Sequence, residues 1–195
     1  MSEPNTPRVP EVPVDPLFIE RWSPRAFSSE PIPRQEILSL FEAARWAPSC
    51  YGEQPWLFLY ADTPEDLAIY RTLLVDANRV WADRAPVLAF AFARLTFSRN
   101  GKPNRWAQFD TGSAWMSLAL QARRLGLYTH GMGGIHADRV YEVLNVPREN
   151  YEVMCGIAIG QIGDPATLPA DVAKNEHPNS RKPLAQVAIA GKFKL

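Results

Sequence analysis

Residues 87–93 read Val-Leu-Ala-Phe-Ala-Phe-Ala, seven consecutive apolar side chains. Successive side chains of a β-strand point to opposite faces of the sheet, so a strand with this composition is apolar on both faces. Such a strand lies in the middle of a sheet and needs helices on each side to cover it. The segment therefore predicts a central strand inside a layered fold.

Apolar segments on either side of this strand predict the rest of the sheet. They cover residues 56–60, 128–132 and 153–159. Helices are predicted between the strands from the helical spacing of apolar side chains. Their ranges are 33–47, 64–76, 78–84, 110–125 and 138–144. Because strands and helices alternate irregularly, the sequence predicts an α+β fold, a mixed central sheet flanked by helices on both faces.

The helix at 110–125 carries the clearest signals. Asp110 stands near its start, Arg123 and Arg124 in its last turn, and Gly126 just past its end. These positions suit the helix dipole and a glycine C-terminus. Apolar side chains point in most directions, so we expect the helix to be buried nearly all round, at the centre of the protein or in a subunit interface.

The two ends of the chain differ from its body. Residues 1–16 are polar and hold five prolines, which predicts a flexible, extended arm. Residues 17–195 are then expected to form a single domain, long enough to bury a substantial core. The tail beyond Asp164 is rich in proline and charge, and a last strand is predicted at 186–190.

Composition limits the partners. Lys plus Arg and Asp plus Glu balance at 21 each, so neither nucleic acid nor a membrane surface is expected as a partner. The apolar runs are shorter than the roughly 20 residues of a membrane-spanning helix. Two cysteines and three histidines show no metal-ligand spacing. We therefore expect no metal and a reducing compartment, the cytoplasm.

A short basic segment follows the arm. Residues 21–27 (RWSPRAF) place Arg21, Ser23 and Arg25 on a turn that Pro24 stiffens. Two guanidinium forks and a hydroxyl suit a phosphate monoester. Taken alone, a solvated surface pair is the better interpretation, and the same holds for Arg181 in the tail.

Two further segments have the composition of a binding site. Residues 47–56 (APSCYGEQPW) place Ser49, Cys50 and Gln54 on a tight loop, and a glutamine amide can pair with the edge of a heterocycle. Residues 131–134 (GMGG) follow a strand, where glycines allow close approach of a flat ligand. The alternatives are an ordinary helix–strand turn and a flexible turn.

Taken in order, these segments resemble the flavin-dependent nitroreductase family. RWSPRAF resembles the basic N-terminal flavin motif of that family, and APSCYGEQPWLF is similar to its Pro-Ser stretch that runs into Gln-Pro-Trp. Residues 125–135, with the strand 153–160, resemble its third block, and Arg181-Lys-Pro-Leu184 its C-terminal phosphate-binding element. The resemblance spans roughly residues 15–190.

The resemblance implies an FMN-binding α+β fold and a homodimer with FMN at the subunit interface. Arg21 and Arg181 would face the phosphate, and Arg25 the pyrimidine edge. One subunit would contribute Arg21, Trp22, Ser23 and Arg25, and the partner subunit would contribute Ser49, Cys50 and Gln54. The cofactor-binding residues that the resemblance implies are Arg21, Trp22, Ser23, Arg25, Gly131, Met132, Gly133 and Arg181 and, from the partner, Ser49, Cys50 and Gln54.

Two positions depart from the family pattern. The loop has Gly52 where the family often has Asn, and Cys50 where it usually has a second serine. Both lie beside the expected edge of the flavin. They therefore bear on the ring contacts and on the choice of substrate.

The implied reaction is a ping-pong exchange. NADH or NADPH reduces the flavin and leaves, and an electron-poor organic acceptor, such as a nitroaromatic or a quinone, then takes the same slot. The flavin carries this chemistry, so we expect no catalytic side chain. The loop at 95–108 is polar except for aromatic side chains such as Phe97 and Trp106, and Phe109 lies just beyond it. We expect this loop to be a lid that selects acceptors.

Other functions stay open on the sequence. One is another flavin reaction on the same fold, such as enoate or aldehyde reduction or ring dehydrogenation. Another is an FMN-binding protein without nicotinamide-dependent turnover. A third is a thiol enzyme built on Cys50, although no histidine is near that residue in the sequence.

Overall fold

The central strand lies where the sequence predicts it. The structure, a computed structural model, describes residues 8–192. Its strands are β1 (Trp56–Ala61), β2 (Val87–Arg94), β3 (Tyr128–Met132) and β4 (Tyr151–Gly160), in the sheet order β1-β2-β4-β3. The side chains of residues 87–93 are all buried. Each described ladder is antiparallel, whereas the sequence predicted a mixture of strand directions.

Helices cover both faces of this sheet. They are α1 (Pro16–Glu20), α2 (Arg34–Arg45), α3 (Pro64–Arg71), α4 (Asp76–Ala82), α5 (Ala107–Arg124), α6 (Ala137–Val143) and α7 (Ala170–Ala173), with short 3₁₀ turns at Cys50–Gly52, Pro165–Thr167 and Leu184–Gln186. None of the helices in residues 8–192 combines the length and the apolar content needed to cross a membrane.

The alternation of β2 divides the core into two layers. Leu88, Phe90 and Phe92 point to the layer that includes Leu67 of α3 and Trp81 of α4. The odd-numbered residues between them point to the opposite layer. That second core includes Val87, Ala89, Ala91, Leu40 of α2 and Leu118 of α5. The small alanines of β2 therefore allow α2 and α5 to pack closely on one face.

The predicted helix at 64–76 and the predicted strand at 186–190 differ in the structure. The predicted helix at 64–76 ends at Arg71, because Leu74 leaves the helical path to form a β-bridge with Ile135. A new helix, α4, then begins at Asp76. The predicted strand at 186–190 is wrong: a 3₁₀ turn ends at Gln186, and exposed coil follows without a strand partner. The short helices α1 and α7 have no predicted counterpart.

Helix α5 begins at Ala107, earlier than predicted, and is not buried all round within one chain. One face is fully buried, including Ala114, Leu118 and Ala122. The apolar side chains of Trp115 and Met116 lie on the other positions and are only partly covered. The helix is therefore covered on one side only by its own chain.

Candidate functional site

A cavity of about 370 Å³ lies where the segment after α1 meets the C-terminal tail. Cations and hydrogen-bonding side chains line it. These residues are Arg21, Trp22, Ser23, Arg25, Asn175, His177, Asn179 and Arg181, and we call their site the basic cavity. Five of the predicted cofactor-binding residues, distant in sequence, are thus brought together by the fold.

A histidine of β3 holds the turn that carries Arg21 and Arg25. The Nδ1 atom of His130 lies 2.8 Å from the carbonyl oxygen of Pro24, and the ring of Trp81 packs on the imidazole at a centroid distance of 4.5 Å. Burial lowers the pKa of His130, and because a carbonyl oxygen only accepts, Nδ1 is the donor in this hydrogen bond. The turn is therefore fixed to the sheet by one hydrogen bond.

A carboxylate from the tail holds the same turn from the other side. Glu176 accepts hydrogen bonds from the backbone N–H groups of Arg25 at 2.9 Å and Ala26 at 2.8 Å. The two partners of each contact are about 150 residues apart in the sequence, so no local sequence pattern predicts these contacts. They place the tail residues, including Arg181, beside the basic turn.

The basic cavity carries positive charge without a partner carboxylate. Among residues 8–192, no Asp or Glu oxygen lies within ion-pair distance of Arg21, Arg25 or Arg181. The pKa of Arg21 is lowered, first by burial and then by the charge of Arg181. Two guanidinium groups that repel each other are stabilised by an anion bound between them. The cavity therefore has the charge distribution of an anion site.

A second, more apolar cavity of about 290 Å³ lies beside the loop between α2 and β1. Two of the predicted cofactor-binding residues, Ser49 and Cys50, line it. The full lining is Pro48, Ser49, Cys50, Trp106, Phe109, Asp110 and Ser113, which we call the aromatic cavity. It shares no lining residue with the basic cavity. None of the chain's three histidines lines it, so Cys50 has no imidazole base there.

The loop beside this cavity has an unusual backbone. Tyr51, Gly52 and Gln54 have φ angles of 56°, 67° and 50°, in the left-handed region that side chains other than glycine rarely adopt. Surrounding contacts must hold such a conformation. The Ser49 hydroxyl accepts from the N–H of Gln54 at 2.9 Å, and the buried Asp110 accepts from the N–H of Cys50 at 3.0 Å. Gly52, a departure from the family pattern, is the position in this loop where a positive φ costs least.

Glu53 connects this loop to the predicted lid. Its side chain is only 4% exposed, pairs with Arg94 at the end of β2, and accepts from the backbone N–H of Ser98 at 2.6 Å. The N–H of Ser98, with help from the charge of Arg94, lowers the pKa of Glu53. One carboxylate thus holds the two loops together.

The predicted lid is a folded turn with exposed aromatic side chains. A bridge joins Thr96 to Pro103, and the guanidinium of Arg99 lies 4.1 Å from the ring centre of Tyr51. Trp106 and Phe109 are 42% and 76% exposed at the edge of the aromatic cavity. Exposed aromatic rings beside a cavity are suited to stacking on a planar ligand.

Packing constrains the glycine segment at the end of β3, formed by Gly131, Met132 and Gly133. A Cβ atom on Gly131 would lie 3.0 Å from the ring of Trp115, a tight contact that the indole would have to relieve by a small shift. Met132 is 3% exposed and belongs to the core, and its backbone pairs with Gly156 of β4. Gly133 is exposed, with no atom within 4 Å of a Cβ.

Within one chain, the predicted site residues form three separate groups. The first lines the basic cavity, the second lies on the loop at 49–54, and the third lies at the C-terminal end of β3. Gln54 is exposed and lines neither cavity. Sequence reasoning missed Glu53 and Glu176, whose partners are distant in sequence, and Asp110, which it treated only as a helix start. It also missed Arg8, whose contacts are described below.

Comparison with known proteins gives a consistent result. The model of the nitroreductase family matches residues 19–76 and 69–161 of this chain. A solved structure described as an oxidoreductase containing FMN is 46% identical, with a TM-score of 0.92, over 100% of this chain and 99% of that one.

Two curated relatives are more distant. YdgI of Bacillus subtilis, an inferred NAD(P)H nitroreductase, is 26% identical over 68% of this chain and 80% of its own length. A Streptomyces coelicolor protein, an inferred NADH dehydrogenase/NAD(P)H nitroreductase, is 31% identical over 43% of this chain. That match covers only 41% of the Streptomyces protein.

Proposed function

Since this chain belongs to the nitroreductase family, we propose that it is a cytoplasmic FMN-dependent oxidoreductase that passes electrons from NADH or NADPH to an electron-poor organic acceptor. The predicted family and the α+β fold with helices on both faces of the sheet are confirmed. The FMN-containing structure that is 46% identical over the whole chain supports the cofactor, and the named nitroreductases support the nicotinamide donor.

The observation that carries the proposal is the composition of the basic cavity. FMN ends in a phosphate monoester, and Arg21 and Arg181 offer two guanidinium groups without a carboxylate partner among the described residues. The hydroxyl of Ser23 adds a further donor. A phosphate would relieve the repulsion between the two arginines, so the residues fit this end of FMN. Arg25 would then lie toward the pyrimidine edge of the flavin.

The separation of the two cavities supports a homodimer. We propose that the basic cavity and the glycine segment of one chain face the loop with Ser49, Cys50 and Gln54 of a second copy. In a single chain, the basic cavity shares no lining residue with the aromatic cavity, which Ser49 and Cys50 line. A site completed by a partner reconciles this separation with one flavin per site.

Exposed apolar surface indicates where a second copy would pack. A groove of about 720 Å³ runs between residues 8–19 and the tail. Among its lining residues, Val9, Val12, Phe18 and Val187 have between 48% and 75% of their surface exposed. Apolar patches of this kind mark interaction surfaces. The side of α5 that carries Trp115 and Met116, which its own chain covers only partly, would provide a second contact area.

When bound, FMN supplies the chemistry, because it accepts hydride from a reduced nicotinamide and passes electrons on to an acceptor. The protein's part is to hold and to orient. Arg25, as a cation beside the pyrimidine edge, would stabilise negative charge there. The amide of Gln54 would pair with the edge of the ring. The donor and the acceptor would use one slot in turn.

The test of the proposed function is the visible absorption spectrum of the purified protein, recorded before and after NADPH or NADH is added without oxygen. We expect a flavin spectrum that bleaches. A flavin that stays oxidised with both nucleotides would instead indicate a flavin carrier or a different electron donor. If the protein binds no flavin even after incubation with FMN, the proposed function is wrong.

Trp106 is the residue of the lid that we expect to contact the acceptor. Trp106→Ala should raise the KM for planar aromatic acceptors about fivefold, the effect of losing about 1 kcal/mol of aromatic stacking. The kinetics are measured with a series of quinones and nitroaromatics of increasing size.

Trp46 provides a matched control for this variant. It is 74% exposed and, like Trp106, has an arginine over its ring at 4.7 Å, but it lines neither cavity. Trp46→Ala should therefore leave the KM values near those of the parent protein. Equal kinetics of Trp106→Ala and the parent for every acceptor would refute the assignment of this loop as a selecting lid.

A further inference from the structure

Arg8, in the proline-rich segment before α1, makes more side-chain hydrogen bonds than its position near the chain end leads one to expect. Its Nη1 atom donates to the carbonyl oxygens of Ile19 and Arg21, both at 2.8 Å. Its Nε atom donates to the carbonyl oxygen of Asn179 at 2.9 Å, and Nη2 donates to the Asn179 side-chain oxygen at 3.0 Å. Four of the five N–H donors of this guanidinium therefore bind protein oxygens.

Two of these partners, Arg21 and Asn179, line the basic cavity, and the third, Ile19, is in α1. The carbonyl of Arg21 is in the turn after α1, and Asn179 is in the C-terminal tail. The side-chain oxygen of Asn179 also accepts from Nη1 of Arg181, at 2.7 Å. Arg8 and Arg181 therefore share one acceptor, and Arg8 is joined directly to the backbone of Arg21.

The charges of this arrangement are unfavourable without an anion. The pKa of Arg8 is lowered by burial and by the nearby charges of Arg181 and Arg21. No carboxylate among residues 8–192 lies within ion-pair distance of Arg8. Three guanidinium groups are thus gathered at one end of the cavity. The backbone oxygens hold Arg8 there despite the repulsion.

We propose that Arg8 is a positioning residue that links the segment before α1 to the phosphate end of the basic cavity, setting the distance between Arg21 and Arg181. The inference rests on the proposed binding of FMN. Through Arg8, residues 8–16 of the N-terminal segment would contribute to the affinity of the protein for FMN. Because its donors are already engaged, Arg8 acts through Arg21 and Asn179 rather than by holding the phosphate itself.

The test compares two flavins that differ only by the phosphate. The full-length chain is freed of flavin and titrated with FMN and with riboflavin, with binding followed by flavin fluorescence. We expect Arg8→Ala to raise the Kd for FMN about fivefold to tenfold, the scale of a lost charge-assisted contact, while the Kd for riboflavin changes less than twofold. Arg8→Lys should restore little, because an ammonium group cannot replace the planar fork that bridges two segments.

Arg34 offers a control of the same residue type. Its side chain is 71% exposed at the start of α2 and lines no cavity described above. Arg34→Ala should leave both flavin affinities unchanged. An unchanged FMN affinity in Arg8→Ala, equal losses for FMN and riboflavin, or full restoration by lysine would each overturn the proposal.

Hydrogen exchange of the flavin-free protein gives a readout that needs no cofactor. Arg8→Ala should increase amide exchange at residues 19–23 and 176–181, whereas exchange in β2 stays the same. Unchanged exchange in both segments would overturn the linking role, even if FMN binding were weaker. If the parent protein binds neither flavin, the proposed function fails, and the exchange result still decides whether Arg8 links the two segments.

Discussion

Gly163→Ala is expected to lower the free energy of unfolding by about 3 kcal/mol, near the upper end of the usual cost of overpacking. A Cβ atom at this position would lie 2.6 Å from the carbonyl carbon of Phe27, 2.7 Å from its oxygen and 2.8 Å from the nitrogen of Ser28. All three are backbone atoms, so no side chain can rotate away. Thermal unfolding should shift down by roughly 6–12 °C for a chain of this size.

The same substitution should also disturb the basic cavity. Gly163 donates to the carbonyl of Ala26 at 2.7 Å, and Ser28 donates to that of Gln161 at 3.0 Å. These bonds fix the segment that continues from Arg25. An added methyl group would push the backbone at 26–28 away from the backbone at 161–163 and so move the turn that carries Arg25. The affinity for FMN should therefore fall together with stability.

A glycine in open space controls for the general effect of adding a methyl group. Gly112 lies in α5, and a Cβ atom there would meet no atom within 4 Å. Gly112→Ala should leave the midpoint unchanged or raise it slightly, since alanine favours the helix. A Gly163→Ala protein that unfolds at the parent temperature would show that the contact with Phe27 is looser than described.

Arg21→Ala is expected to weaken FMN binding about 30-fold, equivalent to about 2 kcal/mol of charge-assisted hydrogen bonding. Arg21 lines the basic cavity, and burial and the charge of Arg181 lower its pKa. The loss should be confined to flavins with a phosphate. Fluorescence titration with FMN and riboflavin measures both affinities.

Arg139→Ala is the control for the loss of one positive charge. Arg139 is exposed on α6 and lines neither the basic nor the aromatic cavity. Its removal should leave FMN affinity within twofold of the parent value. If Arg21→Ala bound FMN as tightly as the parent, or lost riboflavin equally, the assignment of Arg21 to the phosphate would be wrong.

Local patterns predicted the elements whose environment is uniform along their length. The seven apolar residues at 87–93 are buried from end to end, and β3 has the predicted bounds 128–132. The tail failed because a strand needs a partner edge as well as suitable residues. Apolar side chains at Val187 and Ile189 suggested a strand, but both are exposed coil. Sheet pairing is a nonlocal property that a five-residue segment does not encode.

In the candidate site too, some features could be predicted from the sequence and others depend on tertiary structure. The sequence by itself determined the family, the layered α+β fold and the basic character of two segments, since these depend on residue types in order along the chain. Only the tertiary structure decided that Arg21, Arg25 and Arg181 line one cavity, while Ser49 and Cys50 line another. It also revealed Arg8, Glu53 and Glu176 as the residues that hold these segments. Their roles arise from hydrogen bonds to backbone atoms, and any residue can supply a backbone atom, so no pattern of side chains announces the partner.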